Sequence, residues 1–448
     1  MDDSSLLSFD KLRAAIMDRK AVAGVMGLGY VGLPLAIAIA RAGFEAIGFD
    51  TDPEKPAKLN SGISYIGAVS NDQLARALAE KRFRATSEFR ALKTCDVIVI
   101  CVPTPLKADR EPDLSYVVST AREIAKHLRS GQLIVLESTS YPGTTRELVK
   151  PILAATGLRP GSDFFLGFSP EREDPGNSLY GTADIPKIVS GDGPQAAELM
   201  QLFYGATVKE IVPVSSMDVA EAAKITENIF RAVNIALVNE LKVVYERMGI
   251  DIWEVIEAAK TKPFGYMPFY PGPGLGGHCI PIDPFYLSWK SRTYGLPTRF
   301  IELAGEINVS MPDYVVGVLA KALQERFAVG LKGARVLLIG LAYKKNVADV
   351  RESPAFKLID ILEQQGARVQ FHDPLVPVIP PTREHAQYEG RRSVSLNAKL
   401  LESEDAVLIC TDHEGVDYRV IAENAKLIID TRNVFARKGL ICETVVKA

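Results

Sequence analysis

Apolar residues occur along the chain in short runs separated by amphipathic stretches. In the first half, these runs have the length and apolar content of buried strands. They lie at 21–27, 44–50, 95–105, 132–140, 164–173 and 185–191. Helical patterns follow the first run, from about Gly32 to Ala42, and the third run, near 115–129. This alternation predicts a doubly wound parallel sheet.

The pattern changes to helical periodicity at Asp218, whose side chain suits an N-cap. Shorter helical patterns follow at 251–260 and 300–325. After Gly330, runs typical of buried strands return. They lie at 334–344, 367–374, 405–413 and 425–433. The sequence therefore predicts an α/β protein with two doubly wound, Rossmann-like domains joined by a long-helix central segment.

The composition is typical of a globular protein from a reducing compartment. Apolar residues make up 47% of the 448 residues, and the net charge of −3 argues against a nucleic-acid-binding protein. Five sparse cysteines without a CxxC or His/Cys cluster predict a cytoplasmic protein without a metal site. The stretch from Ala21 to Ala40 is uncharged, but its glycines and proline divide it into strand, turn and helix. We therefore expect no membrane insertion.

The segment GLGYVG, residues 27–32, fits the GxGxxG pattern between a strand and a helix. Gly27 would make the turn, Gly29 would let a pyrophosphate approach the backbone, and Gly32 would let helix and strand pack closely. The alternative is that these glycines serve packing alone. Asp50 ends the next strand, where a carboxylate accepts hydrogen bonds from a ribose 2′-hydroxyl and repels a 2′-phosphate. The pattern predicts NAD rather than NADP.

Three further segments carry side chains suited to catalysis, and each has an ordinary structural alternative. Ser138, Thr139 and Ser140 end a strand, where the ligand crevice of such sheets lies, so their hydroxyls could bind water, cofactor or substrate. A helix cap at Thr144 or Thr145 is the alternative role of this segment. Glu171, Glu173 and Asp174 lie beside another strand end, and one of them could act in acid–base chemistry, although a solvated charged loop is the alternative. Lys224 and Asn228 share one helix face and could hold an oxyanion, but an exposed polar face is the commoner explanation.

The segment GPGLGGHCIPIDP places Cys279 between a glycine-rich loop and Asp283. Glycines allow the backbone to approach a ligand, and prolines fix the shape of a loop, so a nucleophile would benefit from this setting. A tight turn with a buried thiol is the alternative. A reactive cysteine also needs surroundings that favour its thiolate. We leave His278 out of the catalytic set, because in an extended segment its side chain would point away from that of Cys279.

Together these segments resemble the UDP-glucose/GDP-mannose dehydrogenase family over residues 20–440. The motifs occur in the order GLGYVGLPLA, CVPTP, ESTSYPGTT, FSPERE, KITEN, GPGLGGHCIPIDP, YKKNVADVRESP and DTRN. The loop and FSPERE variants look most like the branch that oxidises UDP-N-acetylglucosamine. The resemblance implies an NAD-binding domain at 1–212, a helical central and dimerisation domain with the catalytic loop at 213–328, and a UDP-sugar-binding domain at 329–448.

The family resemblance also implies a reaction and the roles of individual residues. The family oxidises a primary alcohol twice, to a carboxylate, through a cysteine thiohemiacetal and thioester, with two NAD⁺. By motif, the catalytic residues would be Cys279, Lys224, Asn228, Asp283, Thr139 and Glu171. The cofactor would contact Gly27, Gly29, Tyr30, Val31, Gly32, Asp50, Thr104, Thr139 and Arg351. The UDP-sugar would contact Glu171, Arg172, Lys224, Asn228, Tyr270, Gly274, Gly276, Lys344 and Arg432.

The chain departs from the family pattern at two places. Arg172 and Glu173 replace apolar residues found in the UDP-glucose branch, and the region 261–265 lacks the arginine that many relatives donate to a partner subunit. The alternatives are a UDP-glucose, UDP-N-acetylmannosamine or GDP-mannose substrate, a dehydrogenase that performs a single oxidation, and an inactive nucleotide-binding protein. The resemblance implies a homodimer or a larger homo-oligomer, and the helix from Asp218 has an apolar stripe suited to such an interface. The stripe contains Ile225, Ile229, Ala232, Ala236 and Val243.

Overall fold

The computed structural model describes residues 3–107, 111–172, 184–277, 280–382, 385–440 and 442–448. These residues form two compact units. The first unit contains residues 1–227 and 285–296, and the second contains residues 228–284 and 297–448. The predicted α/β architecture with two Rossmann-like sheets and a long helical segment is confirmed.

The first unit is built on an eight-stranded sheet with the order β3-β2-β1-β4-β5-β6-β7-β8. The strands are β1 (Val22–Met26), β2 (Glu45–Phe49), β3 (Phe83–Thr86), β4 (Val97–Ile100), β5 (Gln132–Leu136), β6 (Phe164–Phe168), β7 (Lys187–Gly191) and β8 (Ile211–Pro213). All neighbouring strands run parallel except β6 and β7. The sequence pattern predicted neither this reversal nor β3 and β8.

Helices cover both faces of this sheet. They are α1 (Asp3–Met17), α2 (Gly32–Arg41), α3 (Glu54–Asn60), α4 (Asn71–Ala79), α5 (Ser115–His127), α6 (Lys150–Ala154) and α7 (Pro194–Gly205). Alternate residues of a strand face opposite sides, so Val97 and Val99 enter one apolar cluster, and Ile98 and Ile100 enter the other. Burial on both faces explains why the central strands appear in the sequence as continuous apolar runs.

The central part of the chain is helical. It contains α8 (Met217–Arg247), α9 (Ile252–Ala259), α10 (Asp283–Arg292) and α11 (Arg299–Phe327). The predicted N-cap at Asp218 is wrong, because α8 begins one residue earlier and the Ser216 hydroxyl accepts the Val219 N–H at 3.2 Å. Among the described residues, no helix is both long and apolar enough to cross a bilayer.

The apolar stripe predicted on α8 is largely buried within the chain. Ile225, Ala232 and Ala236 are all less than 9% exposed. A different row of apolar side chains on the same helix is exposed. It contains Phe230, Leu237 and Val244, which are 47%, 48% and 46% exposed.

The second unit ends in a parallel five-stranded sheet with the order β10-β9-β11-β12-β13. Its strands are β9 (Arg335–Ile339), β10 (Arg368–His372), β11 (Ala406–Ile409), β12 (Ile428–Asp430) and β13 (Val445–Lys447). Its helices are α12 (Pro354–Gln364), α13 (Ala398–Ser403), α14 (Tyr418–Asn424) and α15 (Val434–Arg437). Two apolar clusters again cover the two faces of the sheet, which is the arrangement expected for a doubly wound fold.

Candidate active site

Three glycines shape the loop between β1 and α2. Gly27 has a φ of +94°, a left-handed conformation that glycine adopts without strain. A Cβ on Gly32 would overlap the Gly27 carbonyl oxygen, so only glycine lets α2 begin this close to the loop. A Cβ on Gly29 would meet no atom within 4 Å, which shows open space beside this residue. Tyr30 is exposed and Val31 is half-buried in the same loop.

Asp50 follows β2, and its side chain is only 8% exposed. Its Oδ2 accepts hydrogen bonds from the Leu28 backbone N–H and from Lys55 Nζ, both at 3.0 Å. Sequence reasoning missed Lys55, because only the fold brings this side chain back to the strand end. A carboxylate here can accept hydrogen bonds from ribose hydroxyls, and an open glycine loop at a helix N-terminus suits a pyrophosphate. These residues therefore fit NAD.

Ser138 links the carboxyl ends of β4 and β5. The Val102 N–H donates to Ser138 Oγ at 2.9 Å, and Oγ donates to the Val102 carbonyl at 2.8 Å. Thr139 is the next residue along the chain. Thr104 is buried, and its carbonyl accepts the Tyr286 hydroxyl at 2.6 Å. Both predicted threonines therefore lie near the carboxyl edge of the sheet, where doubly wound folds bind ligands.

Lys224, which is buried, and Glu171, which is largely buried, form an ion pair in the first unit. Lys224 Nζ lies 3.7 Å from Glu171 Oε2, and the two side chains are 6% and 14% exposed. A cation in such surroundings interacts more strongly with a developing oxyanion than it would in water. Arg172 Nη2 lies 2.6 Å from Glu227 Oε1, and Arg172 Nη1 donates to the Pro186 carbonyl at 2.6 Å. The role of Arg172 in binding substrate stays a prediction.

An open pocket lies beside this ion pair. Its lining includes Val31, Leu35, Glu137, Glu171, Arg172 and Lys187. In its wall, Lys187 Nζ lies 3.1 Å from Glu137 Oε1. The lining residues come from the first turns of α2, from the segments after β5 and β6, and from the start of β7. This is where a doubly wound sheet forms its ligand crevice.

In the second unit, the predicted residues Asn228 and Asp283 are in direct contact. Asn228 Nδ2 donates to Asp283 Oδ2 at 2.6 Å, and both side chains are buried. Asp283 is the first residue of α10, whereas Asn228 belongs to α8. His278 and Cys279 lie outside the described residues. The structure therefore establishes the Asn228–Asp283 pair, and the nucleophilic role of Cys279 stays a prediction.

The glycine-rich loop contacts the segment that follows β9. Gly274 has a φ of +133°. A Cβ on Gly276 would lie 2.7 Å from Tyr343 Cβ, and a Cβ on Gly272 would lie 2.5 Å from Arg432 Nη1. Glycine is therefore required at position 276, where Tyr343 Cβ and the Glu352 carbonyl oxygen occupy this space, whereas beside Gly272 the obstacle is the end of a flexible arginine side chain. The predicted approach of this loop to a nucleotide stays a prediction, and the contact with Tyr343 was not predicted.

Arg351 and Lys344 belong to the same segment after β9. The Arg351 guanidinium binds both oxygens of Asp349, with Nη2 at 2.6 Å from Oδ2 and Nε at 3.0 Å from Oδ1. The Gly277 N–H donates to the Arg351 carbonyl at 3.1 Å. Lys344 is half-buried and follows Tyr343. The second unit therefore holds the glycine-rich loop against the segment that carries these two predicted cations.

Tyr270 lies against α9. Its ring stacks on that of Trp253 with 5.7 Å between centroids, and its hydroxyl donates to Glu257 Oε1 at 2.9 Å. The side chain is 41% exposed. These contacts orient the ring, and its predicted contact with the nucleotide stays a prediction.

Glu221 is a buried residue of the site region that sequence reasoning missed. It lies one turn before Lys224 on α8 and is fully buried. Its carboxylate accepts the Gly143 and Thr145 backbone N–H groups at 2.5 and 2.9 Å, and the Thr145 hydroxyl at 2.6 Å. Burial raises the pKa of Glu221 to about 7, although these hydrogen bonds oppose the rise. A glutamate among alanines on an otherwise buried helix face was the available signal.

Three family models match the chain in sequence order. The NAD binding domain of the UDP-glucose/GDP-mannose dehydrogenase family matches residues 21–208. The central domain of this family matches residues 218–310, and its UDP binding domain matches residues 337–437. The first model covers the glycine loop and Asp50. The central model covers the Asn228–Asp283 pair, and the UDP binding model covers Arg432.

Individual relatives extend over nearly the whole chain. UDP-N-acetyl-D-glucosamine 6-dehydrogenase of Pseudomonas aeruginosa is 39% identical over 382 residues, which is 82% of this chain and 88% of that protein. UDP-N-acetyl-D-mannosamine dehydrogenase of Pyrococcus horikoshii is 36% identical over 417 residues, covering 92% and 95% of the two chains.

Solved structures agree with these matches. The structure of the UDP-D-ManNAc dehydrogenase from Pyrococcus horikoshii has a TM-score of 0.84 at 34% identity, covering 95% of this chain and 97% of that one. A UDP-glucose dehydrogenase from Pyrobaculum islandicum has a TM-score of 0.83 at 30% identity, with 95% and 96% coverage. The chain therefore belongs to the UDP-glucose/GDP-mannose dehydrogenase family and is an NAD-dependent nucleotide-sugar 6-dehydrogenase.

Proposed function

We propose that the enzyme oxidises the 6-hydroxyl of UDP-N-acetylglucosamine to the carboxylate, in two steps that each reduce one NAD⁺. The observation that carries this proposal is the arrangement along α8. Lys224, paired with Glu171, lies four residues before Asn228, which binds Asp283. The cysteine loop ends at this aspartate. One helix thus carries the cation predicted to stabilise the oxyanion and, one turn later, the amide that is bonded to Asp283.

NAD⁺ supplies the hydride acceptor for both oxidations. Lys224 would stabilise the alkoxide that forms as the 6-hydroxyl loses its proton, and loss of the first hydride from C6 would then leave an aldehyde. The Cys279 thiolate would add to the resulting aldehyde, giving a thiohemiacetal that loses a second hydride and becomes a thioester. Glu171 and Thr139 would orient the water that cleaves the thioester and releases the carboxylate and the free thiol. Asn228, held by Asp283, would bind the oxyanion beside Lys224.

The choice of sugar rests on the loop and FSPERE sequences and on relatives. Two UDP-N-acetyl-D-glucosamine 6-dehydrogenases, from Pseudomonas aeruginosa and Salmonella typhi, are 39% and 34% identical. UDP-N-acetylmannosamine is the second candidate, because the Pyrococcus horikoshii relative acts on that sugar. A site built for an acetamido group would leave polar groups unpaired with UDP-glucose, and such a mismatch lowers kcat/KM.

A panel of nucleotide sugars tests both the substrate and the stoichiometry. With limiting UDP-N-acetylglucosamine, we expect two NADH per sugar and the uronate by mass spectrometry. We expect its kcat/KM to exceed those of UDP-N-acetylmannosamine, UDP-glucose and GDP-mannose. A higher value for another sugar would overturn the substrate assignment. One NADH per sugar with an aldehyde product would overturn the double oxidation.

The cysteine is tested with a matched control. Cys279→Ser should retain binding of the nucleotide sugar and lose uronate formation, because serine is a far weaker nucleophile at neutral pH. Cys442→Ser removes a partly exposed cysteine elsewhere in the chain and should retain turnover. Normal uronate formation by Cys279→Ser would exclude the covalent mechanism.

We also propose that the enzyme is a cytoplasmic homodimer or larger homo-oligomer with the three-domain division 1–212, 213–328 and 329–448. The exposed apolar row on α8 supports the oligomer, because Phe230, Leu237 and Val244 repeat every seven residues and so share one helix face. The ranges of the three family models support the domain division.

A further inference from the structure

Both backbone polar groups of Leu28, in the glycine loop after β1, are held by side chains from elsewhere in the first unit. The Leu28 N–H donates to Asp50 Oδ2 at 3.0 Å. The Leu28 carbonyl accepts a hydrogen bond from the Tyr65 hydroxyl at 2.8 Å. The tyrosine comes from the segment between α3 and α4, 37 residues further along the chain. The loop therefore takes its orientation from two contacts that the GxGxxG motif does not contain.

The contact with Tyr65 fixes the direction of a peptide group. A trans peptide is planar, so the Leu28 carbonyl and the Gly29 N–H point in opposite directions. With the carbonyl directed toward Tyr65, the Gly29 N–H points to the other side of the peptide. The space where a Gly29 Cβ would lie is open, with no atom within 4 Å. Backbone N–H groups at such a loop and helix N-terminus are donors to phosphate oxygens.

Tyr65 is well placed to hold this contact. Its ring packs against the apolar cluster beneath the glycine loop. Neighbouring hydrogen bonds order its segment, since the Ser64 hydroxyl donates to the Ile66 carbonyl at 3.2 Å and the Ser64 N–H donates to Asn71 Oδ1 at 2.8 Å. Burial, together with the nearby carboxylates of Asp50 and Asp52, raises the pKa of Tyr65 well above its ordinary value. The hydroxyl therefore remains a donor at neutral pH.

We propose that Tyr65 is a positioning residue for the cofactor, whose hydroxyl orients the Leu28–Gly29 peptide so that the Gly29 N–H faces the pyrophosphate. Asp50 holds the other side of Leu28 and is the carboxylate that fits the adenosine ribose. Leu28 thus lies between the Asp50 carboxylate, which would bind the ribose, and the Gly29 N–H, which would face the phosphate. This role concerns NAD binding alone and is independent of the sugar that the enzyme oxidises.

Tyr65→Phe tests the proposal because it removes the hydroxyl and keeps the ring. We expect the Kd for NAD⁺ and for ADP-ribose, measured by calorimetry, to rise about three- to tenfold, the effect of one lost hydrogen bond. The affinity for adenosine, which has no pyrophosphate, should stay unchanged in a ligand-observed NMR titration, since Asp50 remains. The Kd for UDP should also stay unchanged.

Ser64→Ala is the matched control, because Ser64 helps to order the same segment without bonding the glycine loop. It should retain the wild-type Kd for ADP-ribose. An unchanged Kd for ADP-ribose in Tyr65→Phe would overturn the proposal. So would an equal loss of affinity for adenosine and ADP-ribose, or an equal loss in Ser64→Ala, since either would show that Tyr65 acts through the fold of the segment.

Discussion

Replacing Glu221 with glutamine should change how the stability of the first unit depends on pH. In the wild type, the two carboxylate oxygens accept hydrogen bonds from Gly143 and from Thr145. A glutamine presents one oxygen and one NH₂ group, so either orientation places an N–H against a buried backbone N–H. A buried donor left without its partner costs about 1–3 kcal/mol, and glutamine does not titrate, so this position gives the variant no pH dependence.

The titration of Glu221 adds a part that does vary with pH. Burial raises the pKa of Glu221 in the folded protein from 4.5 to about 7. A group whose pKa is raised by folding contributes stability that is complete below pH 4.5 and is lost as the pH rises through 7. Between pH 5.5 and 8.0, linkage gives a loss of about 2 kcal/mol in the wild type, which Glu221→Gln cannot show. The stability difference between the two proteins should therefore shrink by that amount.

Tryptophan emission can follow the unit that contains Glu221. The sequence contains two tryptophans. Trp289 lies in the first unit, with its ring 5.0 Å from that of Tyr141, whereas Trp253 lies in the second. In a Trp253→Phe background, urea unfolding with Trp289 emission should report on the first unit at both pH values.

The test compares the unfolding free energies of the parent protein and the Glu221→Gln variant at the two pH values. Subtracting the Glu221→Gln curve from that of the parent removes the titration of other groups, provided that both unfold in a single transition with equal m-values. A difference in unfolding free energy that is the same at pH 5.5 and 8.0 would refute the reasoning. It would mean that Glu221 keeps an ordinary pKa despite its burial.

Three other tests concern separate parts of the structure. Asp50→Ala should lower the ratio of kcat/KM for NAD⁺ to kcat/KM for NADP⁺ by about tenfold, or about 1.4 kcal/mol. The reason is that Lys55 loses its carboxylate partner and the carboxylate no longer repels a 2′-phosphate. An unchanged ratio would show that Asp50 does not select the cofactor. Gly276→Ala would place a Cβ against Tyr343 and should raise the KM for the UDP-sugar. Gly317→Ala is its control and should leave this KM unchanged, because a Cβ there, on α11, would meet no atom within 4 Å. Equal KM values for the two variants would contradict the packing argument. Leu237→Glu places a charge in the exposed row of α8 and should lower the mass measured by light scattering, and a fully active wild-type monomer would exclude the proposed interface.

Much of the geometry of the glycine loop between β1 and α2 was predictable from the sequence, because it depends on neighbouring residues. The turn at Gly27 and the close approach at Gly32 depend on a strand, a turn and a helix that are contiguous in the chain. The family motifs also identified residues that the structure brings into contact. Lys224 lies beside Glu171, and Asn228 is bonded to a buried carboxylate. The fold class, the family and the use of NAD are confirmed, whereas the individual catalytic roles stay predictions.

Tertiary structure alone decided which groups hold these residues in place. Tyr65 reaches the glycine loop from 37 residues away, and Glu221 reaches Thr145 from 76 residues away. It also decided which face of α8 is buried, because a helix with apolar residues on several faces can pack by more than one of them. Periodicity and motifs record the conformation of neighbouring residues. Hydrogen bonds between distant segments depend on how those segments fold together, and neither the motifs nor the periodicity contain that information.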